Sequence, residues 1–386
     1  MKIVVDDKIP YIRETLAKLT DEVVYLKGSE IGPEDVRDAD ALIVRTRTLC
    51  NEQLLKGSKV QFVATATIGY DHLDTTWLEQ NGITWTNCPG CNSGSVAQYI
   101  ESALLTLIDN GKLIIDNGKL IIDNGQRTKD NGQWTKGNYP LPIINSPLTL
   151  AVVGCGHVGS KVCRVGERLG MRVLVNDPPL EASLNPSERR DLPTDSILPL
   201  PSERVGVRLF VPLETIAREA DIITFHVPLD DSTRYLADEA FFNSLQRQPV
   251  IINSSRGGVV DEQALLRALD TGKVSCAVID TWEHEPDISR VLLNKVYIGT
   301  PHIAGYSADG KVNADNMVIE ALCRHFHLPL PPRILPPPSS LPPSPLAIYQ
   351  KVGYNVMEDS QKLKNHPEMF EELRGNYPVR REIFDR

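Results

Sequence analysis

Short apolar runs recur along this chain and alternate with longer stretches in which the apolar residues have helical spacing. The first series of runs lies at 3–5, 41–44 and 60–64. An amphipathic helix is predicted over residues 11–19, between the first two runs. A second series lies at 148–154, 172–177, 221–228, 249–255 and 273–280. Strands that alternate with helices predict βαβ units and parallel sheets, so the sequence predicts two α/β domains with a cleft between them.

Two segments interrupt this alternation. Residues 108–133 repeat a heptad, IDNGKLI twice and then IDNGQ, in which Asn-Gly is a turn signal that breaks a continuous helix. We interpret residues 108–147 as a low-complexity insertion, either a small hairpin or a disordered loop, without a chemical role. Residues 180–205 are polar, contain proline and lack periodicity, so they are predicted to be a second loop insertion.

The last part of the chain begins with a proline-rich segment. Nine prolines lie in residues 328–346, which predicts a stiff, extended polyproline linker. A ligand for an SH3-type domain is the alternative for this segment. The charged residues 347–386 have helical patches but are too few to fold alone, so they are expected to pack on the main body or on a second subunit.

A formal net charge of −9 limits the kinds of partner. Because the chain supplies no basic field, the sequence argues against nucleic acid or an anionic membrane as a partner. A small anionic substrate would need a locally basic pocket. No apolar run approaches the ~18 residues that span a bilayer. The N-terminus, MKIVVDDKIP, has no signal-peptide core, so the expected location is the cytoplasm.

Seven cysteines are scattered along the chain, and Cys88 and Cys91 form a C-x-x-C. A zinc site would need a second pair at similar spacing, and the sequence has none. A thioredoxin-like pair would follow the first strand and begin a helix. The sequence therefore predicts a Pro-Gly turn with incidental thiols and no metal site.

The motif GCGHVG at 154–159 follows an apolar strand directly and precedes a helical stretch. Gly154 permits a tight turn, Gly156 permits close approach of a pyrophosphate to the backbone, and Gly159 permits tight helix–strand packing. Asp177 ends the next strand, where a carboxylate can accept hydrogen bonds from ribose hydroxyls and would repel a 2′-phosphate. NAD binding is therefore predicted at Gly154, Gly156, His157, Val158, Gly159 and Asp177.

Three further side chains follow later strands, where open α/β sheets bind their ligands. Arg256 in NSSRGG can bind a substrate carboxylate through two parallel hydrogen bonds. His302 in TPHIAGY can take the proton of a hydroxyl group from which hydride leaves. Glu285 in WEHEP can hold the imidazole and favour its charged form. These three residues are the predicted catalytic set.

The motifs GCGHVG, HVPL, NSSRGGVVDEQAL, DTWEHEP and TPHIAGYS, in this order, resemble the D-2-hydroxyacid dehydrogenase family. Further segments are similar to a subfamily with a phosphorylated substrate and a C-terminal dimerisation region. They are VRTRT (44–48), FVATATIGYDHLD (62–74), CPGCNS (88–93) and ELRGNYPVRRE (372–382). The resemblance covers most of 1–107, 148–180 and 205–325 and part of 350–386.

The resemblance implies roles for individual residues. Arg256 would orient the substrate, Glu285 would support the histidine, and His302 would donate a proton in ketone reduction and accept one in alcohol oxidation. Contacts to NAD are implied for Asp177, Asp280 and Gly305. Contacts to the substrate are implied for Thr46, Thr67 and Tyr306, with Arg45 and Arg47 near enough to help balance its charge.

Two positions depart from the family pattern. Val227 stands where family members often carry threonine, which removes a possible hydroxyl contact to NAD. Thr46 stands in place of a serine and keeps the hydroxyl.

The expected architecture is a Rossmann-type NAD-binding domain, 97–298, inserted into a flavodoxin-like α/β substrate domain formed by 1–96 and 299–325. The linker 328–346 and a dimerisation extension, 347–386, would follow, so a homodimer is expected. The expected substrate is a small phosphorylated 2-hydroxyacid.

Two alternatives stay open. The same chemistry could act on another acid, such as 3-phosphoglycerate or hydroxypyruvate. A chain with this fold could instead be a corepressor that senses a dinucleotide and acts by binding a partner. Against the corepressor, the chain carries Arg256, Glu285 and His302 together and shows no obvious partner motif.

Overall fold

The computed structural model describes most of the chain. The described residues are 1–110, 112–116, 119–122, 128–130, 133–135, 148–183, 209–338, 355–378 and 380–382. The chain divides into two compact units. Unit 1 consists of Met1–Ser95, Tyr306–Pro342 and Val379–Glu382, and unit 2 of Val96–Gly305, Pro343–Pro378 and Ile383–Arg386.

Unit 1 contains a five-stranded parallel sheet. Its strands are β1 (Lys2–Asp6), β2 (Glu22–Leu26), β3 (Ala41–Val44), β4 (Phe62–Thr65) and β5 (Thr84–Thr86). They lie in the order β2-β1-β3-β4-β5, and every neighbouring pair is parallel. This is the flavodoxin-like order of a doubly wound sheet, so the predicted fold class of this part is confirmed.

Helices cover both faces of the sheet of unit 1. They are α1 (Arg13–Leu16), α2 (Pro33–Val36), α3 (Glu52–Leu55), α4 (Thr75–Gln80) and, after the chain returns from unit 2, α12 (Ala308–His325). Ile3 and Val5 of β1 lie in the core that α1 and α12 help to form, whereas Val4 lies in the core under α2, α3 and α4. Strands that are buried on both faces explain why β1, β3 and β4 read as continuous apolar runs.

The described part of the heptad segment forms two short antiparallel hairpins. β6 (Leu113–Asp116) pairs with β7 (Lys119–Ile122), and β8 (Thr128–Asp130) pairs with β9 (Gln133–Thr135). Leu113 is fully buried in a core of unit 2, so the insertion is joined to that core at its first strand. Residues 136–147 of the predicted insertion lie outside the described residues.

Unit 2 contains a seven-stranded parallel sheet. Its strands are β10 (Thr149–Val153), β11 (Arg172–Asn176), β12 (Leu209–Phe210), β13 (Ile222–Phe225), β14 (Val250–Asn253), β15 (Cys276–Ile279) and β16 (Ile298–Gly299). The order is β12-β11-β10-β13-β14-β15-β16. This is the Rossmann order with one further strand, and the direction of winding changes between β10 and β13.

The helices before the return to unit 1 are α5 (Ser93–Asp109), which begins in unit 1, α6 (Gly159–Arg168), α7 (Pro178–Ser183), α8 (Leu213–Glu219), α9 (Glu239–Ser244), α10 (Glu262–Asp270) and α11 (Arg290–Lys295). Within the described part of the chain, none of the helices is long and apolar enough to cross a membrane.

Two sequence expectations need correction at their boundaries. Residues 299–305, expected in the substrate domain, lie in unit 2, because β16 pairs with β15 and extends the sheet of that unit. The loop insertion expected from residue 180 begins as helix α7, because Asp177 accepts a hydrogen bond from the N–H of Leu180 and Pro178 starts the helix. Residues 184–205 lie outside the described residues.

The C-terminal extension adds helices to unit 2. α13 (Val356–Asn365) is followed by a 3-10 turn (Pro367–Met369) and α14 (Phe370–Gly375). Val356, Leu363 and Phe370 are buried in the two cores on either side of the sheet. The extension is therefore part of the packed unit. Linker residues 339–346 lie outside the described residues.

Candidate active site

The loop between β10 and α6 has the three properties of a dinucleotide-binding loop. Gly154 has φ +89°, and a Cβ at this residue would lie 2.6 Å from the carbonyl oxygen of His226. A Cβ at Gly159 would meet the carbonyl oxygen of Gly154, so the helix starts in close contact with the strand. The Cβ position of Gly156 has open space around it among the described residues. A pyrophosphate needs this combination of tight turn, open approach and close helix packing.

The other loop residues complete this predicted site. His157 is exposed, and Val158 immediately precedes α6 and packs against a core of unit 2. The N-terminus of α6 presents backbone N–H groups and the positive end of the helix dipole, which favour an anion. Val227, which replaces the expected threonine, packs against the other core.

Asp177 follows β11 and joins two backbone segments. Its Oδ2 accepts a hydrogen bond from the N–H of Cys155 at 2.7 Å, and its Oδ1 accepts one from the N–H of Leu180 at 2.9 Å. Each carboxylate oxygen can accept a second hydrogen bond, so Asp177 retains capacity for a ribose hydroxyl. The ribose contact stays a prediction. The connection of the glycine loop to the end of β11 is a second role that the sequence did not indicate.

Two hydroxyl groups near the ends of β14 and β15 add to the fit for a polar cofactor. Ser254 Oγ and Thr281 Oγ1 are buried and have no hydrogen-bond partner within the part of the chain that the structure describes. Buried polar atoms in folded proteins are nearly always hydrogen-bonded. These hydroxyls therefore have hydrogen-bonding capacity that a polar ligand or a water molecule would satisfy.

His302 and Glu285 form a direct pair in unit 2. Nδ1 of His302 lies 2.8 Å from Oε2 and 3.1 Å from Oε1 of Glu285. Oε1 also accepts a hydrogen bond from the backbone N–H of Trp282 at 2.9 Å, which fixes the carboxylate. Because Nδ1 is occupied by the carboxylate, Nε2 is the ring nitrogen that can exchange a proton with a substrate.

The surroundings keep Glu285 ionised. Burial is the largest influence and acts to raise the pKa of Glu285. The hydrogen bond and charge of His302, the N–H of Trp282 and the charge of Arg374 outweigh burial and hold that pKa below its usual value. A nearby carboxyl behaves differently, because burial raises the pKa of Glu262 to about 7 and the charge of Glu285 adds to the effect.

Asp280 organises the loop that carries His302. The Asp280 side chain is fully buried, and its carboxylate accepts hydrogen bonds from Thr300 Oγ1 at 2.6 Å and from the N–H groups of Ile303 and Ala304 at 2.8 and 2.9 Å. Its carbonyl oxygen accepts from the N–H of His302 at 2.8 Å. In this structure Asp280 supports the backbone of the histidine loop. Its expected contact to NAD, like that of Gly305 at the end of the loop, stays a prediction.

The backbone of His302 is in an uncommon conformation. Its φ of +55° lies in the left-handed region, which costs roughly 1–2 kcal/mol for a residue with a side chain. Trp282 donates a hydrogen bond from Nε1 to the carbonyl oxygen of Thr300 at 2.8 Å, which helps the loop to keep this shape. Backbone strain that is held by surrounding contacts is common at functional sites.

Arg256 lies between β14 and the 3-10 turn Gly257–Val259 and is half-buried. Its Nη1 donates to the carbonyl oxygen of Ser255 at 2.8 Å, and its own carbonyl oxygen accepts from Asn253 Nδ2 at 2.8 Å. A Cβ at Gly257 would meet the backbone of Trp282, so this loop packs closely on the segment that leads to Glu285. Unit 2 therefore brings the loops of all three predicted catalytic residues to the carboxyl ends of neighbouring strands.

The predicted substrate contacts lie in unit 1. Arg45, Thr46 and Arg47 directly follow β3, and Thr67 lies shortly after β4. Thr67 Oγ1 donates to the carbonyl oxygen of Gly69 at 2.8 Å and lies 2.6 Å from Thr65 Oγ1. These residues lie at the carboxyl ends of adjacent parallel strands, where doubly wound sheets bind ligands. Tyr306 precedes α12.

Lys311 is a further candidate for this group of residues, and the sequence motifs did not indicate it. It lies in the first turn of α12, and its Nζ is 5.1 Å from the centre of the Tyr306 ring. Among the described residues, no carboxylate lies within 4 Å of the side-chain nitrogens of Lys311 or Arg45. Burial lowers the pKa of Lys311, and the nearby charge of Arg45 lowers it further, against Asp315. Arg45 and Lys311 are close enough to repel each other, so a bound anion would stabilise both charges. In the sequence, the position of this lysine five residues after Tyr306 is the feature that could have indicated it.

Cys88 and Cys91 are packing groups in unit 1. Cys88 Sγ donates to the carbonyl oxygens of Thr65 and Ala314 at 3.4 Å each. Burial raises the pKa of the Cys91 thiol to about 12 and also raises that of Cys88. Both thiols are therefore protonated at neutral pH and poor nucleophiles. Across the described residues, no group of three or more His, Cys, Asp or Glu side chains is arranged to hold a metal ion.

A Rossmann sheet, a glycine loop of this geometry and a histidine–carboxylate pair at the strand ends define a dinucleotide-dependent oxidoreductase. The model of the D-isomer specific 2-hydroxyacid dehydrogenase NAD binding domain matches residues 119–304 of the chain.

Similar proteins extend this match to the whole chain. An erythronate-4-phosphate dehydrogenase of Bacteroides thetaiotaomicron is 49% identical over 99% of this chain and 97% of its own length. One of Porphyromonas gingivalis is 35% identical over 99% of this chain and 94% of its own length.

Solved structures share the fold. A D-lactate dehydrogenase of Aquifex aeolicus, complexed with NAD and lactic acid, has 22% identity and a TM-score of 0.63 over 84% of this chain and 96% of its own. An NAD+-bound 3-phosphoglycerate dehydrogenase of Entamoeba histolytica has 25% identity and a TM-score of 0.61 over 85% and 95%. The chain belongs to the D-isomer-specific 2-hydroxyacid dehydrogenases. The predictions of an NAD-dependent dehydrogenase and of NAD as its cofactor are thus confirmed.

Proposed function

We propose that this chain oxidises 4-phospho-D-erythronate to (R)-3-hydroxy-2-oxo-4-phosphooxybutanoate with reduction of NAD, a reaction of pyridoxal 5′-phosphate (vitamin B6) biosynthesis. Relatives named erythronate-4-phosphate dehydrogenase, which align with 99% of the chain at 35–49% identity, support this substrate. The similarity of residues 372–382 to the same subfamily supports it as well.

The observation that carries the chemistry is the contact of 2.8 Å between His302 Nδ1 and Glu285 Oε2. In oxidation, neutral His302 takes the proton of the substrate hydroxyl at Nε2. Glu285 stabilises the imidazolium that forms and keeps the ring oriented. In reduction, the same nitrogen returns the proton to the ketone oxygen.

The chain's own residues supply the NAD site. The backbone N–H groups of the loop 154–159 would bind the pyrophosphate, and Asp177 would accept from the ribose hydroxyls and disfavour a 2′-phosphate. When bound, NAD accepts the hydride that leaves the hydroxyl-bearing carbon. Ser254 and Thr281 offer the hydroxyl groups that still need a partner.

Positive groups suit the two anionic parts of the substrate. Arg256 can bind a carboxylate with two parallel hydrogen bonds and so orient the carbon that loses hydride. We assign recognition of the phosphate in unit 1 to Arg45, Arg47 and Lys311, with the hydroxyls of Thr46, Thr67 and Tyr306. The local charge of these residues is opposite to the net charge of −9 and provides the basic pocket that an anionic substrate needs.

A homodimer and a cytoplasmic location are further parts of the proposal. The similarity of the extension to a dimerisation region supports the dimer. The dependence on NAD and on a phosphorylated metabolite supports the location.

A substrate panel tests the proposed function. NADH formation is measured with 4-phosphoerythronate, erythronate and 3-phosphoglycerate, and NADH consumption with hydroxypyruvate. We expect kcat/KM for 4-phosphoerythronate to exceed that for erythronate and for hydroxypyruvate, which lack the phosphate, by at least about 100-fold, since loss of a charge-assisted contact lowers binding by several kcal/mol. 3-Phosphoglycerate keeps both anionic groups on a chain one carbon shorter, and it should also be turned over less efficiently. Equal or better turnover of 3-phosphoglycerate would contradict this proposal and would indicate that the chain is a dehydrogenase of the phosphoglycerate type.

A further inference from the structure

Arg374 lies beside the predicted acid–base pair. It is on α14 of the C-terminal extension, and its Nη1 is 3.7 Å from Oε2 of Glu285. The same oxygen is 2.8 Å from Nδ1 of His302. The Arg374 side chain is 21% exposed and that of Glu285 is 17% exposed, so water screens the ion pair only in part. The oxygen that holds the histidine therefore also faces a permanent positive charge.

The extension places Arg374 by packing. Phe370, at the start of α14, is buried in a core of unit 2, and Leu373 packs against the same core. Lys364 of the preceding helix donates to the carbonyl oxygen of Val296 at 2.5 Å. Because these contacts fix the helix, the guanidinium loses less conformational freedom in pairing with Glu285 than a mobile arginine would.

The other charges around Glu285 are mainly negative. Glu262 and Glu283 bind each other's backbone N–H through their carboxylates at 2.7 and 3.1 Å, and the charges of Glu262 and Glu285 act on each other. Glu371 lies 3.9 Å from Arg374, and Asp280 interacts with the charge of His302. Once His302 has lost its proton, the ion pair between Glu285 and Arg374 remains.

We propose that Arg374 is a positioning residue of the His302–Glu285 pair and balances the charge of Glu285, so that the C-terminal extension takes part in catalysis. Glu285 alone would favour imidazolium, so less of the neutral ring would be available to take the hydroxyl proton. Arg374 shares the charge of the carboxylate and so lessens this preference. The inference rests on the proposed function only for the substrate of the assay.

The sign of the effect separates this role from a packing role. Loss of a cation beside the pair favours the protonated ring, so the midpoint of the pH–rate profile for oxidation should move to higher pH. A shift of roughly half to one pH unit is expected for a partly screened charge a few ångströms away. Loss of Glu285 should move the midpoint in the opposite direction. A residue that only packs the helix would change stability and leave the midpoint in place.

The variants Arg374→Gln and Arg374→Lys are compared in the full-length protein with Lys362→Gln as the matched control. Lys362 is a cation of the same extension, but its side chain is 59% exposed and forms an ion pair with Asp359. We measure kcat and KM for 4-phosphoerythronate over a range of pH, and we follow urea unfolding of each variant. Arg374→Gln should lower kcat about tenfold, leave KM within about threefold and raise the midpoint. In Arg374→Lys the midpoint should lie close to that of the unchanged protein, and Lys362→Gln should behave as the unchanged protein.

A second readout keeps the proposal testable without turnover. The ring nitrogens of His302 are titrated by NMR, with the signal assigned by comparison with His302→Asn. A higher titration midpoint in Arg374→Gln supports the proposal even if the unchanged protein turns over none of the panel, a result that would reject only the proposed function. An unchanged midpoint in a folded Arg374→Gln overturns the charge-balancing role. A large rise in KM with an unmoved midpoint would also overturn it, since Arg374 would then bind substrate.

Discussion

The hydroxyl of Ser360 accepts a hydrogen bond from the backbone N–H of Gly299 at 3.0 Å. Ser360 belongs to α13 of the extension, and Gly299 ends β16, the edge strand of the unit 2 sheet. The extension thus covers the edge of this sheet a few residues before His302, and both residues of β16 are buried. Edge strands need such cover, because their unpaired backbone groups otherwise face water or another chain.

Phe370→Ala should destabilise the protein. Phe370 is buried in the core of unit 2, and truncation of a buried phenylalanine costs about 3–5 kcal/mol. Urea unfolding measures the loss, and Lys362→Ala on the same extension should stay within ~0.5 kcal/mol of the unchanged protein.

Truncation after Pro329 should lower stability as well as shift sedimentation toward monomer. A truncated chain with unchanged stability would show that the extension does not pack in this way.

Asp177→Ala should relax the preference for NAD and admit NADP. The substitution removes the charge that repels a 2′-phosphate and also the acceptor for the N–H of Cys155, so affinity for both cofactors should fall while their ratio moves toward NADP. Asp177→Asn keeps an acceptor oxygen and separates the two effects. The ratio of kcat/KM for the two cofactors is the measurement. If the ratio is the same in all three proteins, another residue makes the selection.

His302→Asn should lower kcat by ~10²–10⁴, the usual contribution of a positioned acid–base group, with little change in NAD affinity. Glu285→Gln should retain more activity and shift the pH profiles of both directions to lower pH. The reason is that it removes the charge that favours imidazolium. Rates over pH 5–10 in both directions provide the test. Unmoved profiles in Glu285→Gln would mean that another group tunes His302.

Arg256→Lys should mainly raise KM, since an ammonium cannot reproduce the two parallel hydrogen bonds of a guanidinium to a carboxylate. We expect roughly a tenfold increase in KM with a smaller change in kcat. The measurement is initial rates at several substrate concentrations. A fall in kcat with unchanged KM would instead indicate that Arg256 stabilises the transition state.

Lys311→Met should weaken binding of the phosphorylated substrate selectively. Methionine keeps most of the apolar stem and removes the charge near Arg45, so KM for 4-phosphoerythronate should rise about tenfold while that for erythronate changes little. The matched control is Lys8→Met, which removes an exposed cation that lies after β1. Equal effects on both substrates would argue against a phosphate contact.

Replacement of residues 114–133 by a short Gly-Ser linker should leave folding and activity nearly intact, because closure entropy changes slowly with loop length. A replacement that starts at 108, as the repeat pattern suggests, would remove Leu113. That side chain is fully buried, and its loss should cost about 2–5 kcal/mol. Unfolding of Leu113→Ala and of both replacements measures the difference. Equal stability of the two replacements would show that Leu113 contributes little.

The sequence alone determined the class of both sheets. The strands β1, β3, β4 and β10 were predicted because each is a run of apolar residues bounded by turns, and this information is local. The glycine spacing of 154–159 could be recognised equally locally, although the structure shows that Gly154 is also required by the close approach of His226. The order of the strands was not predicted from these elements, and the Rossmann-type and flavodoxin-like arrangements were implied by the resemblance to the D-2-hydroxyacid dehydrogenase family.

Only the tertiary structure determined the edge strands of the unit 2 sheet and the pairs of charged residues that are distant in sequence. Strands β12 and β16 have two residues each, too few for a periodic pattern, and exist because a neighbouring strand offers hydrogen bonds. The contact between Arg374 and Glu285 has no signature in either local sequence, because the burial of Phe370 brings α14 to the carboxylate. Likewise, the packing of α12 on the sheet of unit 1 brings Lys311 into electrostatic range of Arg45. Hydrophobic periodicity and turn chemistry depend on residues that are close in sequence. The pairing of Arg374 with Glu285 depends instead on the packed core that holds their segments together.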